Sequence, residues 1–163
     1  MKLITLNTWA GRAKEPFEAF LKAQADFTDV FCFQEIFNDL DDETPTTVFT
    51  KDTAGNKHIL KEITEILTTF DVYFCPVASD VYGIAIFLKK GMEVIASGEV
   101  MLYENPSYDP EDELNDHNRK MQWVHIKSGT KDVIVMNVHG HWDPSGKEDT
   151  SNRIEQSKII NKF

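Results

Sequence analysis

The sequence predicts an α/β (α+β) fold in which a mixed β-sheet is flanked by helices. Three observations indicate this class: a strand–helix–strand opening, an amphipathic helix, and then a run of short strands separated by turns. The 163 residues, 41% of them hydrophobic, can form one compact core but are too few for two ordinary domains. No repeat or linker interrupts the pattern, so residues 1–163 are interpreted as a single domain.

The first half of the chain alternates strands and helices. Residues 2–7 predict a strand, and residues 16–24 predict a short helix with Pro16 in its first turn. Residues 30–35 (VFCFQE) are almost continuously apolar, which predicts a strand buried on both faces. The clearest helix covers residues 57–70, where apolar side chains recur at helical spacing.

Strands dominate the second half of the chain, with short turns between most of them. The alternating patterns predict strands over residues 71–77, 82–89, 92–103, 119–127 and 132–138 and a closing helix over residues 149–163. Because a helix connects the first two strands, we expect them to run parallel, whereas short turns make later neighbours antiparallel.

This topology has a consequence for three polar residues that lie at strand ends. If strand 71–77 runs parallel to the first strand, then Asn7, Glu35 and His139 all lie at one edge of the sheet. Ligands of open α/β sheets bind at the carboxyl ends of the strands. Each residue also has an ordinary structural role: Asn7 as a turn former, Glu35 as an ion-pair partner and His139 as a hydrogen-bonded core residue.

The net charge of −10 is concentrated in two acidic loops predicted to flank the same edge. Segments 36–50 and 104–117 together hold ten Asp and Glu residues and no Lys or Arg, and the rest of the chain is balanced. Such loops repel polyanions, which weighs against tight non-specific binding of nucleic acid. The simplest interpretation is that they are solvated loops that keep the protein soluble.

Short motifs in a fixed order resemble those of the endonuclease/exonuclease/phosphatase family. The order covers essentially the whole chain, and each motif follows the family's sequence of strands and helices. The matching segments are LITLNTWAG, FCFQEIF, YGIAIFLKK, RKMQWVHI, VIVMNVHGHW and the Arg153-x-x-Gln156 helix. The fold that this resemblance implies is a four-layer α/β/β/α sandwich.

The resemblance also implies an activity and a set of site residues. It implies a metal-dependent phosphoesterase in which Glu35 ligates Mg²⁺, with Mn²⁺ as an alternative, through a hard carboxylate oxygen. Asn7 is expected to position the phosphate, and His139 to contact the phosphoryl oxygens while water attacks in line. Four further residues are candidates to line the substrate pocket: Trp9, Tyr82, Asn137 and Trp142. For the three aromatic residues, packing in the core or at the rim is the favoured role.

The family pattern continues beyond the motifs found in this chain. Its later Gly-Asp-x-Asn and Asp-His motifs have no counterpart here, and Asp116-His117 precedes the strand it would have to follow, so we assign it to a surface loop. The chain is therefore expected to be a C-terminally incomplete domain and a poor catalyst alone. Loss of most of a second sheet would leave one apolar sheet face uncovered, which favours self-association.

Two other functions fit parts of the sequence. The His139-x-His141-x-Asp143 stretch resembles the opening of a zinc hydrolase motif, but Pro144 stands where a further histidine is needed. A non-catalytic binding or regulatory module that kept the fold is the second alternative, and the missing motifs favour it. The retained Glu35, a costly buried carboxylate, weighs against it.

The predicted substrate and location follow from charge and cysteine content. Acidic loops and the lack of Lys/Arg clusters favour a small phosphoester or a lipid headgroup over nucleic acid. Nuclease activity stays open, because the missing part of the family pattern could supply basic residues. Cys32 and Cys75 lie in apolar runs, which suits a reducing cytoplasm. We expect no membrane span and no secretory signal, because no apolar segment has the required length.

Overall fold

A computed structural model describes residues 1–46, 55–107, 117–142, 146 and 148–163. It contains seven strands and three α-helices within these residues. The strands are β1 (Leu3–Asn7), β2 (Val30–Phe37), β3 (Phe70–Ala78), β4 (Tyr82–Lys89), β5 (Glu93–Tyr103), β6 (Arg119–Ser128) and β7 (Lys131–Val138). The helices are α1 (Lys14–Gln24), α2 (Ile59–Ile66) and α3 (Ser151–Lys162).

The strands form two sheets. The first has the order β1-β2-β4-β3, with β1 parallel to β2 and with β4 antiparallel to both of its neighbours. The second is an antiparallel sheet with the order β5-β6-β7. The predicted strand directions are confirmed, but β5 starts a new sheet because β2 and β3 already occupy both edges of β4.

Helices α1 and α2 pack on one face of the first sheet. Leu21 of α1 and Ile63 of α2 join an aromatic layer that includes Phe31, Phe33 and Phe87, all at most 1% exposed. Burial of such side chains contributes about 1.5–3 kcal/mol each to folding. This layer explains why β2 is apolar on both faces, since the other face also meets a core.

The second sheet covers the opposite face of the first. Val30 and Ile86 of the first sheet pack against Val124, Ile126 and Val135 of the second. The expectation that this face lies uncovered is therefore wrong for β2 and β4, because β6 and β7 already bury it.

Apolar exposure is found instead on the outward side of β7. Ile134 and Met136 are 46% and 41% exposed there and alternate with the inward-facing valines. Self-association through an exposed sheet face stays a prediction, and this surface is where such a contact would form.

Helix α3 lies over the outer face of the second sheet, where Phe163 contacts the ring of Trp123 with centroids 5.4 Å apart. The layers are therefore α1 and α2, the two sheets, and α3, which gives the expected α/β/β/α order. Helix α2 is shorter than predicted, because Phe70 begins β3 after a turn in which its amide donates to Leu67 O. None of the helices in the described segments has the length and hydropathy needed to cross a bilayer.

Candidate active site

Asn7 and Glu35 meet where the parallel strands β1 and β2 end. Asn7 is the last residue of β1 and pairs with Gln34, and its Nδ2 donates to Glu35 Oε1 over 2.8 Å. The Asn7 side-chain oxygen accepts a hydrogen bond from Trp9 N, also at 2.8 Å. Both ends of the Asn7 amide are thus engaged, which holds its N–H group towards the carboxylate.

A β-bulge directs the Glu35 side chain to this edge. The register between β2 and β4 shifts between Gln34 and Ile36, and Glu35 between them has φ +61°. A left-handed backbone at a non-glycine residue costs about 1–2 kcal/mol and recurs at functional sites. The Thr8 hydroxyl lies 3.0 Å from the carbonyl oxygens of both Gln34 and Glu35 and supports the bulge.

His139 reaches the same carboxylate from the second sheet. It follows the last residue of β7, and its Nε2 lies 3.8 Å from Glu35 Oε1. Burial, together with the positive charge of Arg119, lowers the pKa of His139 to about 4. The imidazole is therefore neutral at pH 7 and offers one donor and one acceptor nitrogen. The predicted convergence of Asn7, Glu35 and His139 is confirmed.

Asn137, in contrast, lies between the two sheets. It is 1% exposed, accepts from Gln34 Nε2 at 2.6 Å and donates to Phe33 O and Ala85 O at 3.0 and 3.1 Å. These hydrogen bonds tie β7 to β2 and β4. The geometry favours a bracing role for Asn137 over the predicted substrate contact, because its amide is engaged by protein groups inside the core.

Two site residues were missed at the sequence level, Arg119 and His117. Arg119 is 3% exposed at the start of β6, and its Nη1 lies 2.8 Å from His117 Nε2. Burial, with the charge of Arg119, lowers the pKa of His117 to about 2. His117 lies in the loop before β6, as assigned, but its side chain is only partly exposed, because it packs edge-on against the Tyr82 ring. Asp116, its neighbour, lies outside the described residues.

The aromatic residues predicted to line the pocket divide into two groups. Tyr82 is 2% exposed and packs between Phe37 and His117; burial raises the pKa of its hydroxyl, and the negative charge of Glu35 adds to the effect. Trp9 and Trp142 are 58% and 49% exposed. Tyr82 is thus packed in the core beside His117, whereas the two tryptophans are about half exposed.

The segment that follows His139 is tied to α3. Arg153 donates to His141 O at 3.1 Å and to Gly146 O at 2.9 Å, and it also donates to Glu148 O. Gln156 accepts from the backbone N–H of His141 at 3.0 Å. Arg153 and Gln156, the Arg-x-x-Gln pair of the sequence, therefore fix the position of the segment after His139 by bonding to its backbone.

The geometry does not support a zinc site at the His-x-His stretch. His141 packs edge-on against Tyr103, and its Nε2 lies 3.3 Å from Asn152 Nδ2. Asp143 and Pro144 lie outside the described residues. Within the described part of the chain, no three His, Cys, Asp or Glu side chains are placed to bind one metal ion.

The first acidic loop follows β2 directly, which places it beside Glu35. The Asp41 carboxylate accepts hydrogen bonds from the Thr44 backbone N–H and from the Thr44 hydroxyl within this loop. These bonds lower the pKa of Asp41. His58 Nδ1 lies 2.8 Å from Asp39 Oδ1 on the same surface. The second acidic loop falls largely outside the described residues, since positions 108–116 are not described.

The donor set at the edge fits one hard divalent cation. Glu35 supplies a carboxylate whose side chain is 18% exposed, and the neutral His139 leaves its negative charge without an imidazolium partner. Mg²⁺ is commonly held by one or two carboxylates, with water and substrate phosphate completing the octahedron. The Glu35 carboxylate therefore suits a hard cation such as Mg²⁺ or Mn²⁺, with the neutral imidazole of His139 as the neighbouring nitrogen donor.

Comparison with known proteins gives matches among solved structures. No protein-family model and no curated protein sequence matches the chain. An endonuclease/exonuclease/phosphatase family protein from Leptotrichia buccalis superposes with a TM-score of 0.66 at 16% identity. The mannosyl-6-phosphatase of Bacteroides thetaiotaomicron gives 0.62 at 19% identity, and a humanized D. rerio TDP2 gives 0.62 at 13% identity.

These matches show the fold. They cover 100%, 98% and 98% of this chain, and the chain has the fold of the endonuclease/exonuclease/phosphatase family, as its motifs indicate. The same matches cover 61%, 56% and 54% of the three solved chains. The chain therefore spans little more than half the length of the proteins it resembles.

Proposed function

We propose that this protein is a divalent-metal-dependent hydrolase of phosphoester bonds. The observation that carries the proposal is the convergence of Asn7, Glu35 and His139 from two sheets. Asn7 Nδ2 lies 2.8 Å and His139 Nε2 lies 3.8 Å from the same oxygen, Glu35 Oε1. The solved structures of this fold include a protein named as a phosphatase, which supports the same reaction class.

Each of the three residues has a role that follows from its geometry. Glu35 would hold Mg²⁺ or Mn²⁺, and the chemistry that such a cation supplies is Lewis-acid activation of a phosphoryl oxygen. Asn7 orients the carboxylate by donating its side-chain N–H group to Glu35 Oε1. His139, neutral at pH 7, donates one N–H to a phosphoryl oxygen, where charge develops as water attacks in line.

The charges around the site bear on the substrate. The buried Arg119 guanidinium provides a positive charge behind His117 and His139, which favours an anionic group at the edge. Asp39, Asp41 and Asp42 beside the same edge repel a long polyanion. We therefore propose a small phosphoester or a lipid headgroup, in preference to nucleic acid, as the substrate.

The location that we propose is the cytoplasm. Cys32 and Cys75 are both free thiols and both buried, and burial raises the pKa of each to about 12. Protonated buried thiols suit a compartment in which disulfides are not formed.

Hydrolysis of bis(p-nitrophenyl) phosphate and p-nitrophenyl phosphate tests the proposed activity. Rates are measured with Mg²⁺, with Mn²⁺ and with EDTA, for the wild type and for Glu35→Ala. The control is Glu155→Ala, which removes a carboxylate that is 58% exposed on α3. Because the chain is expected to be a poor catalyst alone, we expect slow metal-dependent turnover that Glu35→Ala abolishes and Glu155→Ala leaves unchanged. Equal rates for wild type and Glu35→Ala would favour the alternative of a non-catalytic module.

A further inference from the structure

Trp9 has an unusual position beside the Asn7–Glu35 pair. Its side chain is 58% exposed, although tryptophan normally buries its large apolar surface. Its backbone has φ +54°, and Ala10 and Gly11 follow with φ +51° and +74°. Two consecutive left-handed non-glycine residues are costly, so the surrounding structure must hold this turn in place.

Contacts at Ala10 and Gly11 hold the turn in place. Ala10 is 1% exposed, and its carbonyl accepts from Asn56 N at 2.8 Å. A Cβ on Gly11 would lie 2.8 Å from Ile59 Cδ1, so only glycine fits against α2. The buried side of the turn is thus specified by packing, while its outward side carries Trp9.

The Trp9 backbone adjoins the candidate site, and its indole lies beneath a cation. Trp9 N donates to the Asn7 amide that in turn donates to Glu35, so one side chain separates Trp9 from the carboxylate. The Arg12 guanidinium lies over the indole ring, with Cζ 4.5 Å from its centroid. The ring remains more than half exposed in spite of this contact.

We propose that Trp9 is a stacking platform for an aromatic ring in the substrate, so that the substrate is a small phosphoester with an aryl or nucleobase group. This inference rests on the proposed function, because it places the phosphate at Glu35 and His139. A base stacked on an aromatic side chain gains affinity without hydrogen bonds to its edge. Arg12 adds a positive charge that suits the phosphorylated ligand.

Isothermal titration calorimetry tests the platform on the 163-residue chain with Mg²⁺ present. The probes are adenosine 5′-monophosphate, ribose 5-phosphate and inorganic phosphate. They share the phosphate group, and only the first carries an aromatic ring. We expect wild type to bind adenosine 5′-monophosphate about tenfold or more tightly than ribose 5-phosphate.

Variants separate stacking from a structural role of Trp9. Trp9→Phe should keep most of the preference for the aromatic ligand, and Trp9→Leu should remove it while ribose 5-phosphate still binds. The control is Phe27→Leu, because Phe27 is 71% exposed just before β2 begins, at the opposite end of that strand from Glu35. Phe27→Leu should bind all three probes as wild type does.

The outcomes distinguish this inference from the proposed function. If wild type binds adenosine 5′-monophosphate and ribose 5-phosphate equally, the platform is wrong and the phosphate site stands. A preference that persists in Trp9→Leu would also overturn the platform. If none of the three probes binds either to wild type or to Glu35→Gln, the proposed phosphate site is wrong, and the proposed stacking role of Trp9 is wrong with it.

Discussion

The Asn7 amide donates to the Glu35 carboxylate across 2.8 Å and so joins the ends of two parallel strands at the candidate site. The Asn7 amide is itself held by Trp9 N, and the Glu35 backbone by a β-bulge. A carboxylate oriented in this way can offer its remaining lone pairs to a cation without first losing side-chain entropy. The pair is therefore the unit on which the proposed metal binding depends.

Replacing Asn7 by alanine tests this unit. Asn7→Ala removes the hydrogen bond that orients Glu35, and loss of such a supporting contact typically lowers metal affinity 10–100-fold. Titration of Mg²⁺ into wild type and variant measures the change. Asn38→Ala, at an exposed position in the adjacent loop, is the control and should bind Mg²⁺ normally. Unchanged affinity in Asn7→Ala would show that Asn7 does not support a metal ligand.

Asn137 should matter for stability more than for ligand affinity. Asn137→Ala removes three buried hydrogen bonds and leaves the Gln34 amide without its 2.6 Å partner. We expect a loss of about 2–4 kcal/mol in the free energy of unfolding. Urea unfolding followed by circular dichroism measures it, with Asn161→Ala on the exposed end of α3 as the control. A variant as stable as wild type would refute the bracing role.

Two partly buried histidines, His117 and His139, should make the protein sensitive to mild acid. The pKa of His117 is lowered from 6.5 to about 2, and that of His139 from 6.5 to about 4. Below pH 6.5 the unfolded chain binds protons that the folded chain does not bind, so stability is full above pH 6.5 and falls as pH drops. Each such proton contributes a slope of about 1.4 kcal/mol per pH unit.

Replacing His117 measures how much one of these histidines contributes to the pH dependence of stability. Glutamine can still accept the hydrogen bond from Arg119 but does not titrate. Between pH 4.5 and 6, the free energy of unfolding of His117→Gln should depend on pH more weakly than that of wild type, by about one proton. Urea unfolding at a series of pH values gives the slopes. Identical slopes would mean that His117 is protonated in the folded state.

Arg153 should affect turnover through the position of His139. Its guanidinium bonds to three carbonyls in the segment after β7, and the shorter, less branched lysine cannot make the same set. In Arg153→Lys we expect phosphodiester hydrolysis to fall about tenfold or more, because misplacement of a catalytic group by an ångström is costly. Mg²⁺ affinity should change little, since Glu35 lies on β2. A parallel loss of Mg²⁺ affinity would indicate general unfolding of the site.

Most of the fold could be predicted because its signals are local. Apolar periodicity marked each strand and helix to within a few residues, and connection lengths set the strand directions. The division into two sheets depends on which strands already have neighbours, which no local pattern records. Because of that division, β6 and β7 pack over Val30 and Ile86 and bury them.

The candidate site was predicted where it depends on strand ends and missed where it depends on distant contacts. Asn7, Glu35 and His139 each follow an apolar run, so topology alone brings them together. Asn137 and Gln34 are 103 residues apart, and their hydrogen bond could not be inferred from either segment. His117 follows an acidic stretch that suggests an exposed loop, and only its contacts with Arg119 and Tyr82 show that its side chain is partly buried.

The central claim is that Glu35 holds a divalent cation at this edge, and calorimetric titration of Mg²⁺ tests it most directly. Glu35→Gln keeps the size and the hydrogen-bonding capacity of the side chain but removes the charge, and Glu43→Gln in the exposed acidic loop is the matched control. The account predicts that wild type and Glu43→Gln bind Mg²⁺ alike and that Glu35→Gln binds at least tenfold more weakly. Equal affinity in wild type and Glu35→Gln would contradict it.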